Sequence, residues 1–509
     1  MSIRPPSILS HEQWSWRLDL SGSAVTEAAV TALPWDRCFA EMKALEQGES
    51  VNHDERRQVG HYWLRAPEHA PTMGQAQEIG DTVERIEKLV AEIHGGVLLL
   101  EDAFPVTHLL HIGIGGSALG AQFLHHALAQ DSPIQAHFID NLDPFSIERL
   151  LHQLRDHLAS TLILVVSKSG GTTETMAAAE LVFHHFRSCG HSPHRRAIAL
   201  THSESPLKAR AQAEGWLAHF PIWEWLGGRF SITGPPGLLT AALTGVDIRG
   251  VLVGAREMDQ WTRIPDAAKN PAAALAGQWW IHGIPDGRRC LVVLPYSDRL
   301  ALFGRYLQQL LMESLGKESD RQGKRVHQGM TVLGNKGSTD QHALVQQLVD
   351  GRDDAFTLFI QVMQHQRNPS AEMMAAGDTL QQLFLGTRKA LVDKSRPSVT
   401  WTIPQISATE IGATLALFER AVGLYASLLN INAYDQPGVE TGKQYASLFA
   451  EKQTELLTLL SAQELPANTI ATRLNIELPD ALDLLQRLKV TGRVTDRRVG
   501  EEERTYRAT

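Results

Sequence analysis

The sequence has few cysteines and no long apolar run. Its three cysteines, Cys38, Cys189 and Cys290, are far apart and form no metal-like spacing, which fits a reducing, cytoplasmic setting. No stretch of about 18 uninterrupted apolar residues occurs, and the first residues lack the apolar core of a secretory signal. We therefore expect a cytoplasmic protein with no membrane span and no metal.

Positive charge is not in excess. Lys and Arg number 48 against 57 Asp and Glu, and the net charge of −9 argues against general affinity for nucleic acid or anionic membrane. The hydrophobic fraction of 43% and the charged fraction of 21% are those of an ordinary globular protein. A chain of 509 residues is too long for a single core, so two or more domains are expected.

Apolar segments of strand length alternate with amphipathic helical segments, and this happens twice along the chain. Such alternation predicts an α/β fold with two lobes, each a mostly parallel sheet flanked by helices. In the second lobe the pattern predicts one continuous helix over Leu300–Leu315. The predicted divisions are a lead segment at 1–59, a first lobe at 60–262, a second lobe at 263–447 and an appendage at 448–509.

The appendage has a different style. Glu451–Leu460, Ala467–Leu474 and Pro479–Val490 are predicted as short helices, followed by a hairpin built from 492–495 and 505–507. That order is typical of a winged-helix-like module. Its charges nearly balance, whereas DNA binding needs a basic face, so we favour a packing or interaction role. A sugar-phosphate-responsive DNA-binding regulator stays open as an alternative function.

The most informative stretch is Leu162–Met176, an apolar strand followed by a polar glycine loop and a helix. Strand, glycine loop and helix together point free backbone N–H groups at an anion. The loop adds Ser167, Ser169 and Thr172 as hydroxyl donors and Lys168 as a charge. We predict a phosphate site here that needs no metal; a well-capped polar turn is the plainer alternative.

A second glycine loop follows the first predicted strand, within His111–Gly120. Gly113, Gly115 and Ala118 satisfy a loose dinucleotide pattern, and Asp140 ends the next strand, so a nicotinamide-dependent dehydrogenase is one alternative. The same loop, through Gly116 and Ser117, also suits a sugar hydroxyl or phosphate at a helix start.

Further candidates for chemistry lie in four segments. In Gly227-Gly228-Arg229 the glycines allow close backbone contact and the arginine can stabilise an oxyanion, or can instead be salt-bridged in a tight loop. Gln309 and Glu313 are four residues apart and share a helix face, where Glu313 can act as a general base or be a solvated surface residue. The remaining candidates are His342, after a Gly-Ser-Thr-Asp segment, and Gln436 and Lys443, in and after a turn-rich segment.

These pieces, taken in order from Gly60 to Lys443, resemble the glucose-6-phosphate isomerase family. The resemblance rests on six segments in register: His111–Gly120, Ser167–Thr175, Gly227–Ser231, Glu313–Lys317, Gly337–His342 and Gln436–Lys443. It implies two sugar-isomerase lobes, a homodimer with a shared active site, and reversible conversion of glucose 6-phosphate to fructose 6-phosphate through a cis-enediol. No metal or organic cofactor is implied. Action on mannose 6-phosphate stays open.

The resemblance also implies roles for individual residues. It makes Glu313 the base, Arg229 the support of the enediolate, and His342 and Lys443 the ring-opening pair, with His342 reaching the partner subunit's site. The implied substrate contacts are Gly116, Ser117, Ser167, Lys168, Ser169, Thr172, Gly228, Gln309 and Gln436. The chain departs from many relatives at Ser169-Gly-Gly, at Leu315 in place of Asn, and at Pro437 in place of Trp. Its compact length and tail suggest a bacterial, cyanobacterial-style branch.

Overall fold

The computed structural model describes residues 8–283, 288–499 and 503–509, and it has two compact units. The first ends at Asp435 and the second begins at Gln436. The strands are β1 (Ile8–Ser10), β2 (Arg17–Asp19), β3 (His108–Ile112), β4 (Gln135–Ile139), β5 (Thr161–Val166), β6 (Ala197–Thr201), β7 (Ala218–Pro221), β8 (Cys290–Pro295), β9 (Lys317–Ser319), β10 (Arg325–Gln328), β11 (Val332–Gly334), β12 (Ala355–Gln364), β13 (Ser398–Gln405), β14 (Leu465–Pro466), β15 (Val494–Val499) and β16 (Glu503–Ala508).

The α-helices account for most of the remaining regular structure. They are α1 (Glu27–Thr31), α2 (Trp35–Glu46), α3 (Met73–His94), α4 (Leu119–Leu128), α5 (Pro144–Gln153), α6 (Thr173–Ser188), α7 (Pro206–Ala213), α8 (Pro235–Leu243), α9 (Ile248–Thr262), α10 (Pro271–Ile281), α11 (Phe303–Leu307), α12 (Gln341–Asp350), α13 (Ala371–Asp393), α14 (Ala408–Leu428), α15 (Pro437–Ala462), α16 (Ala467–Leu474) and α17 (Leu478–Val490). The α/β class predicted from the alternation is confirmed.

The first sheet has the order β4-β3-β5-β6-β7, and all of its strand pairs are parallel. Successive residues of β5 face opposite cores, Leu164 on one side and Val165 on the other, because helices cover both faces. From β3 the chain goes to β4 on one side, and β5 then returns on the other side of β3. The loops after β3 and β5 therefore flank a crevice at the carboxyl edge of the sheet, where ligands bind in such folds.

The second sheet has the order β1-β2-β13-β12-β8-β11. Its four strands from β13 to β11 are parallel, as predicted for a second lobe. The lead segment was predicted as separate, but β2 pairs antiparallel with β13 through Leu18 and Trp401, and β1 pairs with β2. Leu18 and Trp401 are completely buried, so burial at the sheet edge draws the lead segment into the second lobe.

Helix α14 lies in the centre of the first unit. Among the described residues it is the one helix long and apolar enough to cross a membrane by length and composition, and its apolar window is buried within the protein. It packs closely on α9 at two glycines. A Cβ on Gly254 would lie 1.8 Å from the Thr409 carbonyl oxygen, and one on Gly412 would lie 1.9 Å from that of Val251.

The segment predicted as a single helix over Leu300–Leu315 is interrupted. A 3₁₀ turn at Asp298–Leu300 precedes α11, and a π-helix follows at Gln308–Glu313. The prediction of a uniform α-helix was wrong, because apolar periodicity does not distinguish hydrogen bonding to the fourth residue from bonding to the fifth. π-Helical turns are frequent at functional sites, and this one ends at Glu313.

The second unit runs helix, strand, helix, helix and hairpin, from α15 to β16. Its sheet has the order β14-β16-β15, and Leu456, Ile470 and Leu485 belong to its own core. The predicted short helix at Glu451–Leu460 is instead the last part of α15, so the proposed boundary at 448 falls inside a helix. The predicted hairpin is present but longer, pairing Val494 with Ala508 through Val499 with Glu503.

Candidate functional site

The loop after β5 is closed by its own hydroxyls. Ser167 Oγ shares a hydrogen bond with Thr172 Oγ1 at 2.9 Å and accepts one from the Gly170 N–H at 3.1 Å. Gly170 has φ +67°, and a Cβ there would lie within 2.9 Å of Ser205 and Leu207, so glycine is needed. Thr172 is the N-cap of α6 but makes no side-chain capping bond, which leaves the first N–H groups of the helix without a side-chain acceptor.

The loop after β3 contacts the segment that carries Arg229. A Cβ on Gly116 would lie 2.3 Å from the Gly228 carbonyl carbon, so the two backbones meet directly. The Ser231 hydroxyl donates to the carbonyls of both Gly116 and Gly228, at 3.2 and 2.8 Å. Glycine is therefore required at position 116, whereas a Cβ on Gly228 would meet only the Gly116 Cα, at 3.9 Å.

Gln309 approaches the same loop from the π-helix. Its Nε2 lies 3.3 Å from where a Cβ on Gly115 would stand, and Gly115 has φ +57°. Gln309 and the loop that carries Gly116, both predicted to contact substrate, thus lie together at one edge of the first sheet.

Arg229 is held by three protein acceptors and faces a carboxylate with its remaining nitrogen. Its Nε donates to Ser314 Oγ at 2.7 Å, and its NH2 donates to the carbonyls of Ala433 and Asp435 at 2.5 and 3.0 Å. Its NH1 lies 3.1 Å from Glu313 Oε1. The Arg229 side chain is 3% exposed and that of Glu313 is 18% exposed, so the carboxylate keeps access to solvent while the cation is fixed.

The Arg229 guanidinium remains charged although it is buried. Burial lowers the pKa of its guanidinium, and Glu313 and Asp435 act against that shift. An arginine starts so far above neutral pH that it stays protonated. In such a pair the partly exposed carboxylate can take a proton from carbon, and the fixed cation beside it can stabilise the oxyanion that forms.

The sequence of the chain matches known proteins over most of its length. The sequence profile of the phosphoglucose isomerase family matches residues 26–459. The chain belongs to the phosphoglucose isomerase family. The glucose-6-phosphate isomerase of Synechococcus sp. (strain JA-3-3Ab) is 51% identical over 462 residues, which cover 89% of this chain and 87% of that protein. That of Nostoc sp. (strain PCC 7120 / SAG 25.82 / UTEX 2576) is 49% identical over 460 residues, covering 89% and 87%.

A solved structure agrees with this family assignment. The crystal structure of a glucose-6-phosphate isomerase from Chlamydia trachomatis D/UW-3/Cx superposes with a TM-score of 0.79 at 26% identity, covering 95% of this chain and 93% of that one. The resemblance inferred from the six segments is therefore confirmed. Nothing in these comparisons favours the regulator or the dehydrogenase. Asp140, the acid on which the dehydrogenase alternative depended, accepts a hydrogen bond from Gln122 at 2.9 Å.

Two groups that support this candidate site carry weak sequence signals. His111, on β3, donates through Nε2 to the Ser117 carbonyl at 2.7 Å and accepts through Nδ1 from Thr240 at 2.8 Å. Burial lowers the pKa of His111 to about 4, so the imidazole stays neutral. Its two hydrogen bonds fix one tautomer of the ring, and that tautomer holds the loop. Lys317 Nζ donates to the Glu313 carbonyl at 3.0 Å and pairs with Asp435 Oδ1 at 3.1 Å.

The roles predicted for three further residues, His342, Gln436 and Lys443, rest on the family resemblance alone. His342 is exposed at the start of α12, and within the described residues no contact joins it to the Arg229–Glu313 pair. Gln436 precedes α15 and Lys443 lies exposed on it, in the second unit. Their roles stay predictions, as does the sharing of His342 between subunits.

We expect Gly116→Ala to lower kcat/KM by about 10- to 100-fold, because the added methyl group meets the Gly228 backbone and the loop must move. Overpacking of this kind also costs about 1–3 kcal/mol of folding free energy. Steady-state kinetics and thermal unfolding measure the two effects. Gly80→Ala is the matched control, since a Cβ on Gly80 of α3 meets nothing within 4 Å. Equal kcat/KM in both variants would show that the glycine contact is unimportant.

Proposed function

We propose that the chain interconverts glucose 6-phosphate and fructose 6-phosphate through a cis-enediol, as an enzyme of glycolysis and gluconeogenesis. The proposal rests on membership of the phosphoglucose isomerase family and on one geometric observation. Arg229 NH1 lies 3.1 Å from Glu313 Oε1 while the other guanidinium nitrogens are bound by the protein. A base and a fixed cation therefore lie in direct contact at the site.

The chemistry follows from that pair. Aldose–ketose exchange moves one proton between adjacent carbons and a second between the oxygens that they carry. Glu313 takes the carbon proton and returns it to the other carbon, while the hydroxyl proton passes between the two adjacent oxygens of the enediolate. Arg229 stabilises the negative oxygen of the enediolate. Gln309 and Gln436 orient the sugar with Gly228. His342 and Lys443 act as the acid–base pair that opens the ring.

The phosphate binds away from the reacting carbons. The hydroxyls of Ser169 and Thr172 and the N–H groups at the uncapped start of α6 donate to its oxygens, Ser167 shapes the loop from beneath, and Gly116 and Ser117 hold the adjacent hydroxyls. Since the phosphate is not altered in the reaction, its binding energy serves to orient the sugar.

We further propose that the protein acts as a homodimer in the cytoplasm, with His342 completing the partner subunit's site. No metal takes part in the proposed reaction, because a carboxylate and a guanidinium suffice for the proton transfer and the charge it creates.

A coupled assay tests the proposed function. Fructose 6-phosphate is supplied with EDTA present, and glucose 6-phosphate formation is followed through an NADP-linked dehydrogenase. We expect full activity with the chelator. Mannose 6-phosphate is tested as a second substrate in a parallel assay that measures the fructose 6-phosphate formed. The result defines the substrate range. Absence of conversion of fructose 6-phosphate by folded protein would refute the proposal, and loss of activity only with EDTA would refute its metal independence.

A further inference from the structure

Lys168 belongs by sequence to the phosphate loop, but its ammonium group is engaged elsewhere. Its Nζ donates to the Glu224 carbonyl at 2.7 Å and to the Leu226 carbonyl at 2.9 Å. Both acceptors lie directly before Gly227, Gly228 and Arg229. The charge that the sequence places beside the phosphate thus contacts the chain segment that leads to the catalytic arginine.

The backbone of Lys168 is fixed as well. Its carbonyl accepts from the His202 N–H at 3.0 Å and from Thr201 Oγ1 at 3.3 Å, both at the end of β6. Lys168 therefore links two parts of the lobe. Its main chain is bound at the carboxyl edge of the first sheet, and the tip of its side chain is bound to the segment 224–226. On the far side of that segment, Trp225 accepts a hydrogen bond from the Gly60 N–H at 3.2 Å.

We infer that Lys168 is a positioning residue, which fixes the phosphate loop at a set distance from the Arg229 segment and does not bind the phosphate itself. The inference rests on the proposed function. A sugar phosphate bound by Thr172 at one end and met by Arg229 and Glu313 at the other needs those two ends at the correct spacing. Misplacement by about 1 Å costs such an enzyme roughly 100-fold in rate.

The surroundings of the ammonium agree with this role. It is half-buried and borders a cavity of about 20 Å³, with room for about one water molecule. The charged groups around it are Arg57, Glu55 and Glu224, and Tyr434 also borders the cavity. Burial lowers the pKa of Lys168 to about 8, with Arg57 acting in the same direction and the two glutamates against it. The charge-assisted bonds to the carbonyls therefore weaken as the pH rises through about 8.

The sign of the effect on stability separates positioning from a structural role. The ordinary pKa of 10.5 falls to about 8 in the folded protein, so the unfolded chain binds the proton more tightly. Below about pH 8 the ammonium consequently lowers the stability of the fold, and its removal relieves that cost. We expect Lys168→Met, which keeps the length of the side chain without its charge, to unfold at nearly the parental midpoint, because relief of this cost offsets the loss of the hydrogen bonds to the Glu224 and Leu226 carbonyls.

The test compares turnover with binding in Lys168→Met, Thr172→Ala and Lys88→Met. Binding is measured with sorbitol 6-phosphate, which carries the phosphate and the hydroxyls but cannot be isomerised. We expect Lys168→Met to lower kcat about 10- to 100-fold and to change the dissociation constant of sorbitol 6-phosphate by less than about threefold. Thr172→Ala should instead weaken the binding of sorbitol 6-phosphate more than it lowers kcat. Lys88→Met, a surface change on α3, should match the parent.

The pH profile gives a second readout. We expect kcat of the parent to decline as the pH rises through about 8, and Lys168→Met to lack that decline. If Lys168→Met lost sorbitol 6-phosphate affinity by 10-fold or more and retained kcat, the inference would be overturned and Lys168 would be assigned to phosphate binding. A lower unfolding midpoint together with lower kcat would reduce it to a structural residue. An inactive parent would instead refute the proposed function, so the two failures are distinct.

Discussion

Replacing Glu313 by glutamine is expected to leave substrate binding nearly unchanged and to lower kcat by about 10²–10⁴-fold, the usual contribution of a general base. The amide keeps the shape and polarity of the carboxylate but cannot accept the proton from carbon. Arg229 stays fixed by Ser314 and by the carbonyls of Ala433 and Asp435, none of which the substitution touches. The loss should therefore lie in kcat and leave the affinity for sorbitol 6-phosphate unchanged.

The control for this prediction lies a few residues along the chain. Glu318 pairs with Arg325 at 2.9 Å, and both side chains are mostly exposed, so Glu318→Gln should keep parental kcat. Proton transfer can also be followed directly, because the parent is expected to exchange substrate hydrogen with deuterated water and Glu313→Gln is not. Near-parental turnover or exchange in Glu313→Gln would remove this residue from the role of base.

The site loops could be predicted because their signals are local. Glycines, hydroxyls and a strand-to-helix transition within a dozen residues define Ser167–Thr172, and the same holds for Gly115–Ser117. The direction of the Lys168 side chain was not predictable in this way. Its acceptors lie 56 and 58 residues further along, in a segment whose position depends on the whole first lobe.

The fold shows the same division between local and distant information. The longer strands of both sheets were predictable from apolar runs, whereas β1, β2 and β11 are three residues long and too short to show a period. The place of β1 and β2 in the second sheet depends on the burial of Leu18 beside Trp401, which are far apart in sequence. The π-helix before Glu313 was missed because its apolar spacing is compatible with an ordinary helix.

A buried network of charges lies in the centre of the first unit and gives no sequence signal. Arg65 pairs with Asp259 at 2.5 and 3.0 Å, and its NH1 lies 2.5 Å from Glu419. Arg420 adds ion pairs to Glu46 and, at 3.4 Å, to Asp259. The side chains of Arg65, Asp259 and Glu419 have no exposed surface. Such a set survives only because every charge has a partner.

The network connects α9 and α14 to the segment that follows the 3₁₀ turn at His61–Leu64. Asp259 comes from α9 and Glu419 from α14, and Arg65 follows the 3₁₀ turn at His61–Leu64. Burial raises the pKa of the Glu419 carboxyl, with Arg65 acting in the opposite direction. Arg65 thus pairs with one buried carboxylate from each of these two helices.

Removing Arg65 should consequently be among the most destabilising single changes in the protein. We expect Arg65→Met to lower the free energy of unfolding by about 3–5 kcal/mol, because two buried carboxylates lose their main partner. Denaturant unfolding followed by tryptophan fluorescence, with residual activity as a second probe, measures the change. Arg249→Met is the matched control: its pair with Glu87, at 2.7 and 2.8 Å, lies on the surface, and its loss should cost less than about 1 kcal/mol.

A double variant separates the charge from the volume of the side chain. If the cost of Arg65→Met comes from stranded charge, then Arg65→Met/Glu419→Gln should be more stable than Arg65→Met alone, since the amide carries no charge to bury. If the cost came from lost packing, the second substitution would add its own penalty and stability would fall further. Recovery in the double variant thus identifies charge pairing as the interaction that holds α9 to α14, and a further loss would assign that role to packing at Gly254 and Gly412.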